Sequence, residues 1–248
     1  MGDDKGGWTA AALVVGNELL SGKVRDENVF ALAIALRELG ITLDRVVMVL
    51  DDIDVIAREV RQLSETHDVV FTSGGVGPTH DDLTVEGVAR AFGVPIVRNA
   101  RMDAMLRAHY RERCTEGHLR MALVPEGSEL ATNDEVTWPA VIMRNVWLLP
   151  GVPEIFRMKL ALLRERLVAG TPFVSRSVYT NMDEGELKQL LDEVVHGHPG
   201  VEVGSYPKWS DPAYRTKLTF DGRDAAAVQA ALQAFLKLLP DGEPQRVE

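Results

Sequence analysis

Apolar and amphipathic stretches alternate through the first part of this chain. Residues 10–15 and 69–71 are short continuous apolar runs that read as buried strands, and residues 41–50 read as a further strand between them. Apolar residues at helical spacing follow each run, in the stretches 29–39, 53–63 and 85–92. Strands that alternate with helices in this way predict an α/β fold, with a mostly parallel sheet covered on both faces in a three-layer domain.

Further elements are predicted before the end of this domain. Residues 101–113 form a helix, whose predicted buried stripe is Met102, Met105, Leu106, His109 and Tyr110. The apolar runs 121–124 and 140–149 predict two more strands. Pro153 is suited to the first position of a helix that we expect to continue through Val168.

A turn-rich segment at 169–172 is the best domain boundary in the sequence. Beyond it the pattern is β-α-β-β-α, with elements at 173–180, 184–195, 201–206, 214–220 and 224–239. We therefore expect a first domain at 1–170 and a small C-terminal α+β domain at 171–248. The insert 207–212 reads as a structural hairpin, although Trp209 within it could also be exposed for a contact.

Composition limits the classes of function. The net charge is −10, and the 27 lysines and arginines are scattered, which disfavours nucleic-acid binding. The single Cys114 allows no internal disulfide, and no histidine has a partner at metal-ligand spacing. No apolar run is long enough for a membrane span, and the acidic N-terminus is unlike a signal peptide. We expect a cytoplasmic protein with no membrane partner.

The stretch 68–84, DVVFTSGGVGPTHDDLT, carries the clearest chemical signal. After a buried strand, Gly74, Gly75 and Gly77 must turn the chain sharply before the next helix. Backbone N–H groups in such a turn can bind phosphate, and the helix dipole adds to this. A glycine turn with aspartate caps is also common for structural reasons alone. The spacing matches neither the dinucleotide-binding glycine motif nor a P-loop.

Three loops should meet at one edge of the sheet, because ligands of parallel sheets bind beyond the carboxyl ends of the strands. These loops are 16–21, 50–52 and 73–82. They bring together the carboxylates Glu18, Asp51 and Asp82, which favours a site over simple helix capping. Carboxylates beside a phosphate imply a divalent cation between them.

The motif SGGVGPTHDDLT resembles the signature of the molybdenum-cofactor-biosynthesis domain superfamily. With VGNELLSGKVRDEN, ALVPEGSEL and WLLPGVPEIF, the chain is similar to the CinA (competence/damage-inducible protein A) branch from about Ala11 through Arg166. The segments WPAVIMRNVWLLPGVPE and VGSYPKWSDPAYRTKLTF resemble the corresponding domain of eukaryotic FAD synthases, and they extend the resemblance to about Phe220.

The resemblance implies a homo-oligomer, dimer or trimer, that binds a nucleotide or pterin phosphate. For the CinA and FAD synthase branch it implies metal-dependent hydrolysis of a dinucleotide pyrophosphate of the FAD or ADP-ribose type, which releases AMP. For the cofactor-biosynthesis branch it implies binding or adenylylation of molybdopterin. The loop 133–141 departs from the glycine-rich pattern of CinA relatives, which puts the substrate in question. The sequence ends at Glu248, so neither a CinA amidase nor an FAD synthase adenylyltransferase activity is expected.

Specific roles follow from the motif positions. Asp82 and Asp51 are predicted to bind Mg²⁺, Mn²⁺ or Co²⁺, and Asp81 or Glu18 to act as a base or to support the metal. The predicted phosphate-binding and cofactor-binding residues are Ser73, Gly74, Gly75, Gly77, Thr79 and Gly151. Two alternatives stay open at this point: a pterin-binding or nucleotidyl-transfer enzyme, and a nucleotide-binding module without catalysis.

Overall fold

The computed structural model describes residues 7–167, 170–209 and 213–248. The chain divides into two compact units, Met1–Gly170 and Thr171–Glu248. The helices of the first unit are α1 Asn17–Leu20, α2 Asn28–Glu38, α3 Ile53–Thr66, α4 Thr84–Phe92, α5 Ala100–Tyr110, α6 Glu116–Arg120 and α7 Pro153–Arg166. Its strands are β1 Thr9–Val15, β2 Thr42–Val49, β3 Val69–Ser73, β4 Ile96–Arg98, β5 Leu123–Pro125, β6 Glu129–Ala131, β7 Ala140–Met143 and β8 Val146–Leu149.

The main sheet has six strands in the order β2-β1-β3-β8-β7-β6. Strands β2, β1, β3 and β8 run parallel to one another, whereas β7 pairs antiparallel with β8 and β6 pairs antiparallel with β7. The carboxyl ends of the four parallel strands therefore share one edge, where the loops after Val15, Val49, Ser73 and Leu149 emerge. The predicted mostly parallel sheet is confirmed.

Helices cover both faces of this sheet. On one face Ile56, Val60 and Leu63 of α3 pack with Val88 of α4 and Leu13 of β1. On the other face the core contains, from β1, β3, α2 and α7, the buried residues Ala12, Phe71, Leu32, Leu36, Phe156 and Leu163. Successive residues of the inner strands point to opposite faces, so each strand serves both cores. The three-layer prediction is confirmed.

The predicted single strand 140–149 is instead the hairpin β7-β8. The chain reverses at Arg144, which has a positive φ of 54°, and Asn145. The Asn145 side-chain amide donates to the carbonyl oxygens of Ser64 and His67, both at 3.0 Å. A continuous apolar run hides such a turn, because apolar residues flank it on both sides. The reversal places β8 parallel to β3, and its end lies beside the glycine loop.

Other predictions in this unit were partly wrong. Helix α5 ends at Tyr110 and is followed by a 3-10 turn at Arg111–Arg113. Only Met102 and Leu106 of its predicted stripe are buried, and His109 is exposed. The short elements α1, α6 and β6 were not predicted, since segments of three to five residues carry little periodicity. Helix α7 begins at Pro153 as predicted; the predicted end at Val168 lies outside the described residues.

The second unit contains an antiparallel sheet with two helices. Its elements are β9 Val174–Thr180, α8 Glu184–Gly197, β10 Glu202–Pro207, β11 Thr216–Gly222, α9 Ala225–Leu238 and β12 Arg246–Val247, and the strand order is β10-β11-β9-β12. The predicted pattern is confirmed, apart from the two-residue β12 that was missed. Trp209 is 95% exposed, and residues 210–212 of the predicted insert lie outside the described part. Across the described ranges, none of the helices has the length and apolar character to cross a membrane.

Candidate functional site

The glycine loop begins where β3 ends, and its first two glycines cannot be replaced without strain. Gly74 and Gly75 have positive φ values of 100° and 67°. A Cβ on Gly74 would lie 2.3 Å from the carbonyl oxygen of Val15, and one on Gly75 would lie 2.3 Å from the hydroxyl of Thr84. The sharp turn predicted here is therefore enforced both by backbone conformation and by close approach.

Asp82 organises the rest of this loop. Its Oδ1 accepts from the backbone N–H of Gly77 at 2.8 Å, and its Oδ2 accepts from the backbone N–H of Thr79 at 2.8 Å. The Thr79 hydroxyl lies 2.5 Å from the same Oδ2 and 2.6 Å from Oδ1 of Asp81. A hydroxyl has one proton, so Thr79 donates to only one of these carboxylates at a time. Both oxygens of Asp82 are thus engaged within the loop.

These contacts decide which amides remain for a ligand. The Gly77 N–H donates to Asp82, and the Gly74 N–H donates to the carbonyl oxygen of Leu149 at 3.1 Å. Within the described part of the chain, the N–H groups of Gly75 and Val76 donate to no protein atom. The candidate anion donors are therefore two consecutive amides at the tip of the turn. Gly77 needs to be glycine for another reason: a Cβ there would lie 2.7 Å from Oδ2 of Asp82.

Asn28, at the start of α2, ties the glycine loop to the turn after β8. Its side-chain amide donates to the Ser73 hydroxyl oxygen at 2.9 Å and to the Gly151 carbonyl oxygen at 2.8 Å. A Cβ on Gly151 would lie 3.2 Å from Cα of Gly74, so the two turns pack backbone against backbone. Ser73 is 6% exposed and is bonded to Asn28, which makes it part of the support of the loop. Asn28 was not predicted from the sequence, although it lies in the motif VGNELLSGKVRDEN.

Three carboxylates border the loop on the other side. Asp51 follows β2, and its Oδ2 accepts from the Asn17 backbone N–H at 2.9 Å. Burial raises the pKa of Asp51, and the negative charges of Glu18 and Asp81 raise it further, against the lowering effect of the Asn17 bond. The Thr79 hydrogen bond lowers the pKa of Asp81. The Glu18 carboxylate lies over the backbone of Gly16, where a Cβ would be 2.5 Å from Oε1.

No ready-made metal cage is present in the described ranges. There, no three His, Cys, Asp or Glu side chains are grouped so as to hold a metal ion. The negative charges of Glu18 and Asp81 add to the effect of burial and raise the pKa of Asp51, so these two carboxylates lie within electrostatic reach of Asp51. Asp82 differs from these three because its oxygens already accept hydrogen bonds from the loop.

A cavity of about 640 Å³ opens between the glycine loop and the first turns of α7. The residues of the acidic rim and the glycine loop that line it are Gly16, Glu18, Asp51, Gly74, Gly75, Gly77, Thr79, Asp81, Asp82 and Gly151. Its apolar lining includes Met102, Met121, Leu123, Trp138, Pro139, Val141 and Ile155, and we refer to the part beside Trp138 and Lys159, which are in contact, as the apolar end. The structure thus brings together all the predicted site residues at one cavity except Ser73, which lies behind it.

Lys159 of α7 also lines the cavity and was not predicted from the sequence. It is 3% exposed, and its ammonium group donates to the carbonyl oxygen of Trp138. Burial lowers the pKa of Lys159 to about 8. In sequence it lies in a run of charged and apolar residues, FRMKLALLRER, where a lysine reads as an ordinary surface position of a helix.

Comparisons with known proteins match both units. Residues 11–169 match the family model described as "Probable molybdopterin binding domain", and residues 172–248 match the model described as "FAD synthase, middle domain". The resemblance read from the sequence motifs is confirmed for both parts of the chain.

Individual relatives differ in how much of their length this chain covers. A protein of Archaeoglobus fulgidus is 37% identical over 227 residues, which is 92% of this chain and 96% of the relative. A "Probable FAD synthase" of Caenorhabditis briggsae is 31% identical and matches 93% of this chain, but only 49% of its own length is covered. The solved structure of the protein CinA from Thermoplasma acidophilum has 32% identity and a TM-score of 0.59, covering 64% of this chain and 97% of that one.

Proposed function

This chain belongs to the family described as "Probable molybdopterin binding domain", and on that premise we propose that it hydrolyses the pyrophosphate of a dinucleotide such as FAD or ADP-ribose, with a divalent metal ion, and releases AMP. The synthase activity named for the Caenorhabditis relative is that of a protein about twice as long as the matched part. The hydrolase proposal concerns only the site present in this chain.

One observation carries the proposal: free backbone amides and a cluster of carboxylates face the same cavity. The Gly75 and Val76 amides suit a phosphate, whereas Glu18, Asp51 and Asp81 would repel it. A divalent cation between phosphate and carboxylates removes this conflict. A cavity of about 640 Å³ is also within the usual size range of small-molecule sites.

The residues present fit a Mg²⁺-type ion that completes its coordination with ligand oxygens. Such ions are commonly held by one or two carboxylates together with substrate phosphates and water, so a closed protein cage is not required. Asp51 is the best candidate, because burial and, to a smaller extent, the like charges of Glu18 and Asp81 disfavour its ionised form, and a bound cation would favour that form. We reassign Asp82 from metal ligand to holding the loop, since both its oxygens are engaged there.

When bound, the ion would neutralise charge on the pyrophosphate oxygens. The chain's own residues supply the remaining functions. The Gly75 and Val76 amides bind non-bridging oxygens, and Asp82 fixes the turn that presents them. Water attacks one phosphorus, the bridging P–O bond breaks, and the leaving phosphate takes the electron pair. Glu18 accepts the proton of the water; it suits this role better than Asp81, whose pKa is lowered by Thr79.

A second function is supported by the apolar lining of the cavity. Met102, Met121 and Trp138 offer surfaces on which a planar ring can lie, and a pterin fits this description as well as a flavin or adenine. The family description points the same way. In this alternative the chain binds or adenylylates a molybdopterin phosphate, or it binds a nucleotide without turnover, and the amides of the glycine loop keep their role.

Incubation of the pure protein with FAD and ADP-ribose, each with Mg²⁺, Mn²⁺ or Co²⁺ and with a chelator, tests the proposal. We expect AMP to form only with metal, as measured by ion-pair chromatography. Binding of the dinucleotides without AMP formation under every metal condition would reject hydrolysis and favour the pterin or binding-module alternative.

We also propose that the protein associates with copies of itself. Large apolar side chains are exposed on α2 and on the edge strand β2, namely Phe30, Ile34, Val46 and Met48. Exposed apolar groups of this kind on an unpaired sheet edge favour association. Light scattering after size-exclusion chromatography would show a multimer, and Phe30→Glu would shift it toward the monomer.

A further inference from the structure

Lys159 is an unusual group to find in the wall of a cavity. It is 3% exposed, and its ammonium donates to one backbone carbonyl, that of Trp138. No ion pair of Lys159 with a carboxylate occurs among the described residues, and burial alone accounts for its lowered pKa. An ammonium has three donors, so one carbonyl leaves it under-satisfied. Buried charges are normally paired, because leaving water is costly for them.

The position of Lys159 in α7 separates it from the glycine loop. It lies six residues after Pro153, which corresponds to about 9 Å along a helix that rises 1.5 Å per residue. The amino end of that helix adjoins Gly151, whose backbone packs against Gly74. A ligand with a phosphate at the Gly75 and Val76 amides would therefore approach Lys159 with a different part of the molecule.

We propose that Lys159 is a ligand-binding residue, and that its ammonium donates to a negatively polarised oxygen of the ligand at the apolar end of the cavity. Two sources supply such an oxygen: a ring carbonyl, as in a flavin or pterin, and a second phosphate. Trp138, Met102 and Met121 surround the same space and suit a ring. This inference deepens the proposed function, on which it rests for the position of the first phosphate. It requires binding only, and not turnover.

The structural alternative is that Lys159 only caps the Trp138 carbonyl and thereby fixes the loop before β7. That role would not make ligand affinity depend on the protonation of the lysine. Besides Lys159, the titratable side chains that line the cavity in the described ranges are the carboxylates Glu18, Asp51, Asp81 and Asp82. Carboxylates ordinarily titrate near pH 4, far below the lysine. A change of affinity between about pH 7 and about pH 9.5 on the protein side therefore reports on Lys159.

The test is titration calorimetry with three probes, without metal so that no turnover accompanies binding: FAD, inorganic pyrophosphate and riboflavin, which has no phosphate for the carboxylates to repel. The variants are Lys159→Met, which keeps the length of the side chain, and Arg164→Met as a control. Arg164 lies on the same helix, is exposed and pairs with Glu38. We expect Lys159→Met to bind FAD about ten- to a hundredfold more weakly, as for loss of a charge-assisted hydrogen bond, and Arg164→Met to bind like the wild type.

The other two probes identify the oxygen. A loss of affinity for riboflavin equal to that for FAD assigns a ring carbonyl, and an equal loss for pyrophosphate assigns a second phosphate.

The affinity of the wild type for FAD should fall as the pH rises through about 8, with proton uptake on binding, and this dependence should vanish in Lys159→Met. The pH series on the wild type needs no variant, and with FAD, whose diphosphate carries no proton that titrates in this range, it decides the matter even where Lys159→Met does not fold. Equal affinity of wild type and Lys159→Met for all probes, or pH-independent wild-type binding, overturns the proposal. Binding that follows these expectations, together with no AMP in the separate incubations with metal, supports the assignment of Lys159 and rejects only hydrolysis.

Discussion

The two ends of the cavity satisfy their polar groups in opposite ways. At the glycine loop the polar side chains have protein partners among the described residues: Asp82 accepts from Gly77 and from Thr79, and the Thr84 hydroxyl donates to the Gly74 carbonyl oxygen at 2.7 Å. The Gly75 and Val76 amides are the exception. At the apolar end, Lys159 is 3% exposed, and among the described residues its ammonium has one backbone carbonyl as partner. The end that looks reactive in the sequence is thus largely self-contained, and the end that looks inert holds an under-satisfied cation.

This difference separates structural from ligand-directed groups better than residue type does. Asp51 and Asp82 are both aspartates after a strand, yet the Asp82 carboxylate accepts through both oxygens from its own loop. Asp51 instead accepts from Asn17 through Oδ2 and has its pKa raised by burial and by the charges of Glu18 and Asp81. A carboxylate whose bonds are complete stabilises its own loop, whereas one held beside like charges gains most from an external cation. Substitutions at Asp51, Asp82 and Lys159 should therefore differ in whether they affect turnover, stability or ligand affinity.

The largest effect is expected for Asp51→Asn. The amide oxygen can still accept from the Asn17 N–H, so the stability should change by less than about 1 kcal/mol. Loss of the metal-directed charge should reduce metal-dependent turnover about a thousandfold or more. The neighbouring Asp52 provides the control, because it caps α3 through the N–H groups of Asp54 and Val55. Asp52→Asn should retain turnover, and equal losses in the two variants would contradict the assignment of Asp51.

Gly74→Ala should give the largest loss of stability. The new Cβ would meet the Val15 carbonyl oxygen at 2.3 Å in addition to the strain of a φ of 100°. We expect the free energy of unfolding to fall by more than about 3 kcal/mol. Gly127 also has a positive φ, 84°, but has open space around it, so Gly127→Ala isolates the backbone strain at about 1 kcal/mol. Urea unfolding of both variants measures the difference, and similar losses would show that the approach to Val15 does not matter.

Much of the fold follows from the sequence because burial produces regular patterns. The strands β1 and β3 are buried along almost their whole length and appear as continuous apolar runs, and Gly93 ends α4 in the left-handed conformation expected there. The same patterns do not reveal the β7-β8 hairpin, since Arg144 interrupts an apolar run that is buried on both sides of the turn. Local periodicity reports exposure, and it cannot report a reversal of direction.

The candidate site was predictable only where its residues lie in loops next to the glycines. The rim formed by Glu18, Asp51 and Asp81 follows from the ends of parallel strands. The partners of Asp82 could not be predicted, because they depend on the path of the chain between Gly77 and Asp82. The burial of Lys159 could not be predicted either. The lysine lies next to Met158, which is exposed, so the apolar or polar character of a residue in this part of the helix does not indicate which side chains are buried.

Asp82→Asn should act mainly on stability, unlike Asp51→Asn. An amide replaces one acceptor oxygen with a donor, which would face either the Gly77 N–H or the Thr79 N–H. We expect a loss of about 2 kcal/mol in the free energy of unfolding and faster hydrogen exchange at Gly77 and Thr79. Calorimetric melting and amide exchange measure both. Unchanged melting combined with abolished turnover would return Asp82 to the role of metal ligand.

The smallest effect, and the one with the opposite sign, is expected for the stability of Lys159→Met. The pKa of Lys159 is about 8 in the folded chain against 10.5 ordinarily, so below pH 8 both states carry the charge and the folded state bears the full cost of burying it. That cost is about 3 kcal/mol, and losing the bond to the Trp138 carbonyl offsets part of it. Lys159→Met should therefore be more stable than the wild type by about 1 kcal/mol near pH 7.

Between about pH 8 and 10.5 the folded wild type releases its proton while the unfolded chain keeps it, so wild-type stability should rise with pH. Lys159→Met should lack this rise, and urea unfolding at about pH 7 and about pH 9.5 measures both quantities. A variant that is less stable than the wild type at both values would show that the lysine serves the fold; greater stability together with weaker ligand binding would show that the chain accepts a cost in stability for a group directed at its ligand.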